Sequence, residues 1–417
     1  MPASGPAHKQ LTSWKDIADY LGVSVRTAQK WESERGLPVR RLSGEKGRVW
    51  ADPALLDRWR QSNQEKPPWW KSPGFFRVYA AAASTLLLVA AGIWLASSRK
   101  GPPALFRHEL NTLIVNDAHG HELWRKTFAE PIRRDITPEY LLESRNAWLE
   151  DLDGDGRTEL LYTYVPVTLE KHGRTLFCFS EEGREKWRFV PGRQVSTRAA
   201  DFPPPYRVSC FMPLAPAPDR TRKLVVSSHH LSRYPDQVAV LSHTGAVLGE
   251  YWHSGHLYRL DLADLDGDGS QEILLAGVSN GNRCATLVVL DPRDLGGASV
   301  EENPDYQLQG FPPGREKARL LFPRTCINRK FHEYNWVDRL TFSGDRIKFD
   351  VREREDDVNS VIIYYFDRRL SLIGLELSDR LRSVHRELEA AGQLDHPLTD
   401  KEINELRNIR YLKRPAW

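Results

Sequence analysis

The chain is 417 residues long, with 40% hydrophobic and 28% charged residues, and its formal net charge is only +3. A chain of this length exceeds one ordinary domain and can bury a large core. The near-neutral total hides an asymmetry: residues 1–77 carry 14 Lys and Arg against 8 Asp and Glu, and the rest carry a net charge of −3. This composition excludes a uniformly basic or acidic protein and indicates a basic N-terminal part followed by a mildly acidic body.

The first ordered elements are predicted after residues 1–10, which are small, polar and proline-containing and predict a flexible tail. Ser13 can cap a helix whose apolar residues recur at helical spacing as far as Leu21. Gly22 permits a left-handed turn, and Ser24 can cap a second helix over residues 25–34. Two short helices joined by a glycine turn predict a helix-turn-helix.

The second predicted helix presents polar residues near its N-terminal end, namely Arg26, Thr27, Gln29 and Lys30. Arginine recognises guanine and glutamine recognises adenine through paired hydrogen bonds, whereas lysine and threonine can contact phosphate. This set is suited to DNA. The alternative is a solvated helix face with ordinary surface charge, and the face alone does not decide between the two.

A basic hairpin is predicted next, because residues 39–42 and 48–51 favour two short strands around a glycine-containing turn. Such a hairpin can act as a wing along phosphates through Arg40, Arg41, Lys46 and Arg48. Asp52 and Pro53 then begin a third helix. The order SWKDIADYLGVSVRTAQKWESERGLPV followed by GRVWADPALLDRW resembles the winged helix-turn-helix of the MerR and excisionase type. The resemblance implies sequence-specific DNA binding, usually by a homodimer, without the effector-binding part of the MerR family.

An apolar stretch follows the proline-containing linker 63–77. Residues 78–98 contain no charged residue over 21 positions and have tryptophans near both borders. As a helix this stretch is ~31 Å long, about the thickness of a bilayer's hydrocarbon core, so it predicts one transmembrane helix. A buried core helix or a cleaved signal peptide is the alternative, but mostly polar residues precede the stretch. Because DNA lies in the cytoplasm, the prediction places the N-terminus inside a bacterial inner membrane and the C-terminal domain outside.

Residues 104–377 are rich in short alternating and aromatic segments separated by Gly, Pro and Asp clusters, which predicts β structure. A strand–turn–strand pattern recurs around Gly120, Gly183 and Gly245. Several strands per repeat predict a β-propeller of about five blades, with a pair of β-sandwiches as the alternative.

Two acidic loops are phased with these hairpins: DLDGDGRTELLY at 151–162 and DLDGDGSQEILL at 264–275. Carboxylates at alternating positions, with glycine at the sharp bend, can surround one hard cation, and calcium suits this set better than magnesium. The predicted ligands are Asp151, Asp153, Asp155, the Arg157 carbonyl and Glu159 in the first loop, and Asp264, Asp266, Asp268, the Ser270 carbonyl and Glu272 in the second.

An EF-hand is excluded because its twelfth position falls on Tyr162 and Leu275, neither of which is a ligand. Both loops resemble the calcium loops of FG-GAP (integrin-like, VCBS-type) propeller repeats, which implies two structural Ca²⁺ ions. The ninth position is Glu here, whereas Asp is commoner in that family. The alternative is an acidic turn that binds no ion.

The remaining sequence carries little catalytic signal. Its four cysteines, Cys178, Cys210, Cys284 and Cys326, permit two disulfides or buried thiols. The chain has no Gly-x-Ser-x-Gly or Walker motif, so we expect no enzyme. Residues 378–417 predict two helices that pack on the propeller.

These observations predict a multidomain fold class: a small α+β winged helix-turn-helix at 11–62, a single transmembrane helix at 78–98, an all-β propeller-like domain at 104–377 and a C-terminal helical segment at 378–417. The predicted function is a membrane-anchored DNA-binding transcription regulator whose calcium-binding propeller senses an extracytoplasmic ligand or protein. The alternative is a cell-surface adhesion or carbohydrate-binding protein whose head is a cytoplasmic protein adaptor. A hydrolase or lyase on the propeller is a third, weaker hypothesis.

Overall fold

The computed structural model describes residues 10–41, 48–63, 81, 83–90, 101–132, 147–168, 174–232 and 234–417. The chain divides into two compact units, Met1–Arg99 and Lys100–Trp417.

The N-terminal unit, as far as it is described, combines short helices with one very short strand pair. Its helices are α1 (Trp14–Leu21), α2 (Val25–Arg35) and α3 (Pro53–Ser62), and its strands are β1 (Arg40–Arg41) and β2 (Val49–Trp50). The side chains of Ser13 and Ser24 accept backbone N–H groups at the starts of α1 and α2, and Gly22 ends α1 with a φ of 70°. These helix starts and the glycine turn agree with the local sequence signals, because capping depends on neighbouring residues.

The predicted fold class is nevertheless wrong. Within the described residues, every helix is too short or too polar to cross a bilayer. Most of the predicted span 78–98 lies outside the described residues, and the helical stretch described there covers 81 and 83–90. A span requires about 20 apolar residues in one helix. The predictions of an inner-membrane localisation and of the membrane as a partner are therefore wrong as well.

A winged helix-turn-helix is not evident either. The strands predicted to form the wing are two residues each, and their turn, 42–47, lies outside the described residues. The described chain is mostly β rather than a helical head followed by a span. The predicted linker 63–77 is described only at Asn63.

The C-terminal unit contains, in its described part, five antiparallel sheets of three to five strands that follow one another along the chain, and one two-stranded sheet. The first contains β3 (Leu105–Glu109), β4 (Thr112–Asn116) and β5 (Glu122–Thr127). The second contains β6 (Ala147–Glu150), β7 (Glu159–Tyr164), β8 (Thr175–Phe179) and β9 (Glu185–Phe189). A small pair follows, β10 (Val195–Ser196) with β11 (Asp201–Phe202).

The third sheet contains β12 (Tyr206–Pro213), β13 (Leu224–His230), β14 (Asp236–Leu241) and β15 (Val247–His253). The fourth contains β16 (Gly255–Ala263), β17 (Glu272–Ser279), β18 (Cys284–Leu290) and β19 (Glu316–Leu321). After helix α4 (Cys326–Phe331), the fifth contains β20 (Trp336–Ser343), β21 (Arg346–Arg352), β22 (Val361–Phe366) and β23 (Leu372–Leu377). The chain then forms α5 (Asp379–Ala390), α6 (Asp400–Glu405) and β24 (Arg410–Lys413), which pairs with β19.

Each sheet is built mainly of strands paired in chain order, which is the meander of a propeller blade, and the β-propeller domain is confirmed at this level. Neighbouring sheets share apolar clusters. Leu161 and Cys178 of the second sheet pack with Phe211 and Val226 of the third, so the faces of successive sheets bury one another.

The hairpin repeat has a specific structural cause. The indole Nε1 of Trp124 donates a hydrogen bond to the Glu181 carbonyl at 3.0 Å, and that of Trp187 donates to the His243 carbonyl at 2.8 Å. Gly183 lies directly against the Trp124 ring with a φ of +82°. Each tryptophan therefore covers the turn of the next sheet, where a side chain would not fit.

Candidate functional site

The first acidic loop connects β6 to β7 and is shaped by its own first aspartate. The Asp151 carboxylate accepts the N–H groups of Gly154 at 2.8 Å and Gly156 at 2.9 Å. Both glycines have positive φ, of 77° and 85°, which lets the chain bend around the carboxylate. Asp264 holds Gly267 and Gly269 in the same way at 2.7 and 3.0 Å in the second loop, between β16 and β17.

The loops bring together the first, third and ninth positions. Ligand atoms of Asp151, Asp153 and Glu159 lie within 4.8 Å of one another, as do those of Asp264, Asp266 and Glu272. The ninth residue is buried in both loops: Glu159 accepts the N–H of Leu152 at 2.9 Å, and Glu272 accepts that of Leu265 at 2.8 Å.

The carboxylate at the fifth position accepts a hydrogen bond within the loop, from the N–H of the seventh residue. Asp155 accepts the N–H of Arg157 at 2.8 Å, and Asp268 accepts the N–H of Ser270 at 2.7 Å. Asp268 also accepts a hydrogen bond from Arg293 at 2.9 Å. Three of the four predicted carboxylates in each loop therefore converge, and the fourth does not join them.

A lysine that the sequence analysis missed lies at each cluster. The Lys186 ammonium, on β9, is 2.5 Å from Asp153 Oδ2 and 3.0 Å from Glu159 Oε1. Lys317, on β19, is 2.6 Å from Asp266 and 2.8 Å from Glu272. A signal was present, because Gly-Arg-Glu-Lys occurs at both 183–186 and 314–317.

The charged groups of the first loop shift one another's pKa values. The hydrogen bond from Lys186 lowers the pKa of Asp153. Burial raises the pKa of Glu159, although the Leu152 amide and Lys186 oppose this. Burial works against the charge of Lys186, but its two carboxylate partners outweigh burial and raise its pKa. The ammonium therefore stays protonated at neutral pH.

The carboxylates of each acidic loop fit a calcium ion only in part. Three converging carboxylates offer the oxygen ligands that Ca²⁺ prefers. However, the ammonium already binds two of the three, and a calcium ion would need the same oxygen atoms. The residues fit calcium only if the lysine moves away. Its side chain is 29% exposed in the first loop and 21% in the second, so it has a route to solvent.

Four of the eight predicted DNA-contacting residues lie on α2. Arg26, Gln29 and Lys30 are exposed, whereas Thr27 is half-buried and its hydroxyl lies 2.7 Å from that of Ser24. The buried Ala28 fixes this helix on the core. Since Asp and Glu are absent from the first turn of α2, its N-terminal end presents only neutral and basic groups.

Three of the four predicted wing residues, Arg40, Arg41 and Arg48, lie on or beside the paired strands β1 and β2. The Arg40 guanidinium stacks on the Trp50 ring at 5.4 Å, and Arg41 forms an ion pair with Glu32 of α2 at 3.0 Å. Arg48 is exposed, and Lys46 lies outside the described residues. Arg26, Gln29 and Lys30 are thus exposed on α2, and the ion pair of Arg41 with Glu32 connects β1 to that helix.

The C-terminal unit also contains an open cleft of about 600 Å³ between β10 and the segment that precedes β19. Arg193, in this cleft, stacks its guanidinium on the rings of Trp252 and Phe311 at 5.2 and 5.4 Å, and it also contacts Glu250. No sequence motif indicated this cleft, because its residues are far apart in the chain. The four cysteines are free thiols, so the two disulfides that the sequence permitted do not form.

Comparison with protein-family models and with curated proteins finds no match. Among solved structures, the chain is similar to BBS1N in complex with ARL6DN (11% identity, TM-score 0.30, 68% of this chain and 83% of that chain). It is also similar to the Dos1 propeller (13%, 0.32, 65% and 66%) and to BamB from Moraxella catarrhalis (12%, 0.26, 67% and 74%). Similarities this low assign no function.

Proposed function

We propose that this chain is a DNA-binding protein whose α2 contacts DNA and whose β-propeller domain binds a second partner. The observation that supports DNA binding is the N-terminal half of α2, where Arg26, Gln29 and Lys30 are exposed together without an acidic neighbour in the first turn. Arg26 and Gln29 have the paired donors and acceptors that recognise base edges, and Lys30 can contact phosphate.

The rest of the unit holds α2 firmly. Trp31 packs on Trp59 of α3 with ring centroids 5.5 Å apart, and the Trp59 indole donates a hydrogen bond to the Arg35 carbonyl at 2.8 Å. A recognition surface on a fixed helix loses little entropy on binding. The experiment is selection of bound sequences from random DNA by the full chain at moderate salt. Enrichment of one motif supports the proposal, and binding without sequence preference contradicts it.

Calcium binding by the two acidic loops is part of the same proposal. Asp151, Asp153 and Glu159 would be the carboxylate ligands in the first loop, and Asp264, Asp266 and Glu272 in the second, each after its lysine has moved away. The ion would tie β6 to β7 and β16 to β17, and it needs no contact with a partner. Calorimetric titration of the full chain with Ca²⁺ tests this, and the absence of any binding in the millimolar range contradicts it.

The partner of the propeller domain is proposed to bind at the cleft that contains Arg193. Phe311 beside Arg193 and Glu250 offers both apolar area and charge in the lining of the cleft, as binding clefts commonly do. Cross-linking from a photoreactive group at Gln194, which lines the cleft, would identify that partner. A group placed at exposed Arg346 in the fifth sheet is the control, and equal cross-linking from both positions would contradict the assignment.

A further inference from the structure

A third group of ligand-type side chains lies far from α2 and from both acidic loops. Cys326 is the first residue of α4, His385 lies within α5, and Glu402 lies within α6. One ligand atom from each lies within 4.8 Å of the other two, and Cys326 Sγ is 3.8 Å from His385 Nε2. Three separate elements therefore deliver a thiol, an imidazole and a carboxylate to one point.

The group is enclosed. The three side chains line a cavity of about 50 Å³ whose other walls include Ile327, Leu381 and Leu406. His385 is only 2% exposed, and its Nδ1 has no hydrogen-bond partner among the described residues. The other ring nitrogen, Nε2, faces Cys326 Sγ, so it is the nitrogen that a bound ion would use. The cavity exceeds the ~10–15 Å³ that one water molecule needs.

The chemistry of the donors selects the ion. A thiolate with an imidazole and a carboxylate suits zinc, whereas calcium and magnesium prefer oxygen ligands alone. Tetrahedral zinc binds sulfur at ~2.3 Å and nitrogen at ~2.0 Å, so its sulfur and nitrogen ligand atoms lie roughly 3.5 Å from each other. The observed 3.8 Å between Cys326 and His385 needs little adjustment.

We propose that Cys326, His385 and Glu402 bind one Zn²⁺ ion, with the fourth position left to water. The ion joins α4, α5 and α6. No residue of α6 is fully buried, and Ile403 packs only partly against the core, so the ion would add a fixed attachment for this helix. Thr399 orients the Glu402 carboxylate, because its backbone N–H and its hydroxyl donate hydrogen bonds to Glu402 Oε2 at 3.1 and 3.2 Å.

The test is metal analysis of the full chain, loaded with Zn²⁺ and passed through metal-free buffer. We expect one Zn²⁺ ion per chain, and we expect Glu402→Gln to lose it while Glu405→Gln, on the same helix, keeps it. Circular dichroism shows whether each variant is folded, and Glu402 is partly exposed, so its substitution leaves the core intact.

Cobalt provides a second measurement that needs no variant. Co²⁺ bound to the full chain should give a thiolate-to-cobalt charge-transfer band, which Cys326→Ser abolishes. The acidic loops contain no thiol and cannot produce this band. A chain that retains no zinc, zinc retention by Glu402→Gln, or a cobalt complex without the thiolate band would each overturn the assignment.

Discussion

The Lys186 ammonium lies 3.0 Å from Glu159 Oε1, in the place where a cation bound by the first acidic loop would have to sit. The same relationship recurs between Lys317 and Glu272 at 2.8 Å. Each loop therefore contains an internal positive charge that competes with calcium for the same oxygen atoms. This arrangement allows the calcium proposal to be tested by substitution of the lysines.

We predict that Lys186→Met and Lys317→Met together increase the affinity for Ca²⁺, measured by calorimetric titration. Without calcium, the double variant leaves Oε1 of each buried glutamate, Glu159 and Glu272, without its lysine partner and should lose about 1–3 kcal/mol of unfolding free energy per loop. Added calcium should restore this loss. Lys348→Met is the control, because Lys348 pairs with Asp350 on β21, outside both loops. Unchanged calcium affinity in the double variant would contradict competition between lysine and calcium.

The second prediction concerns DNA. Arg26→Ala should weaken binding to the selected sequence by about 1–3 kcal/mol and relax the preference at one base position. Lys30→Ala should instead weaken binding to all sequences and reduce the salt dependence. Arg58→Ala, an exposed arginine on α3, removes the same charge from a different helix and should have little effect. Fluorescence anisotropy at several salt concentrations measures all three, and an equal loss from Arg58→Ala would indicate non-specific attraction only.

The third prediction tests how successive sheets are joined. Gly183 and Gly120 have nearly the same backbone conformation, with φ of +82° and +85°. A Cβ at Gly183 would lie 2.5 Å from the Trp124 ring, whereas a Cβ at Gly120 meets no atom within 4 Å. Gly120→Ala should therefore cost only the ~1–2 kcal/mol of left-handed backbone strain. Gly183→Ala should cost about 1–3 kcal/mol more because the ring must move. Urea unfolding measures both, and equal losses would mean that the tryptophan contact is unimportant.

The fourth prediction concerns pH. His253 is fully buried, and burial, together with the charge of Arg319, lowers its pKa well below the ordinary value. The unfolded chain binds a proton at this residue near pH ~6.5, but the folded chain does so only at lower pH. The contribution of His253 to stability is therefore complete above that pH and is lost as the pH falls towards the folded pKa. The slope is about 1.4 kcal/mol per pH unit for one proton.

The measurement is urea unfolding between pH 7 and pH 5. His253→Gln should reduce the slope of the unfolding free energy against pH by up to the contribution of one proton. This holds whatever effect the substitution has on stability at pH 7. His119→Gln, which changes an exposed histidine, should leave the slope unchanged. If the slopes of wild type and His253→Gln coincide, His253 is not the titrating group.

The sequence by itself determined the features whose interactions are local. Ser13, Ser24 and Gly22 set the ends of α1 and the start of α2 because caps and left-handed turns involve residues a few positions apart. The interactions that shape the acidic loops are local too, since Asp151 accepts hydrogen bonds from glycines three and five residues away. The glycine repeat likewise indicated the successive sheets. The predicted membrane span was wrong, since no helix among the described residues is long and apolar enough to cross a bilayer.

Tertiary structure alone decided which distant residues meet. Lys186 reaches the first loop because β9 lies in the same sheet as β7, and β24 joins β19 although α4, a whole sheet and two further helices separate them in the chain. Cys326, His385 and Glu402 converge only when α4, α5 and α6 pack together. No local periodicity encodes such meetings, because burial of apolar faces between elements selects them. Local chemistry thus specified the conformation of the loops, and packing specified which charged residues lie beside them.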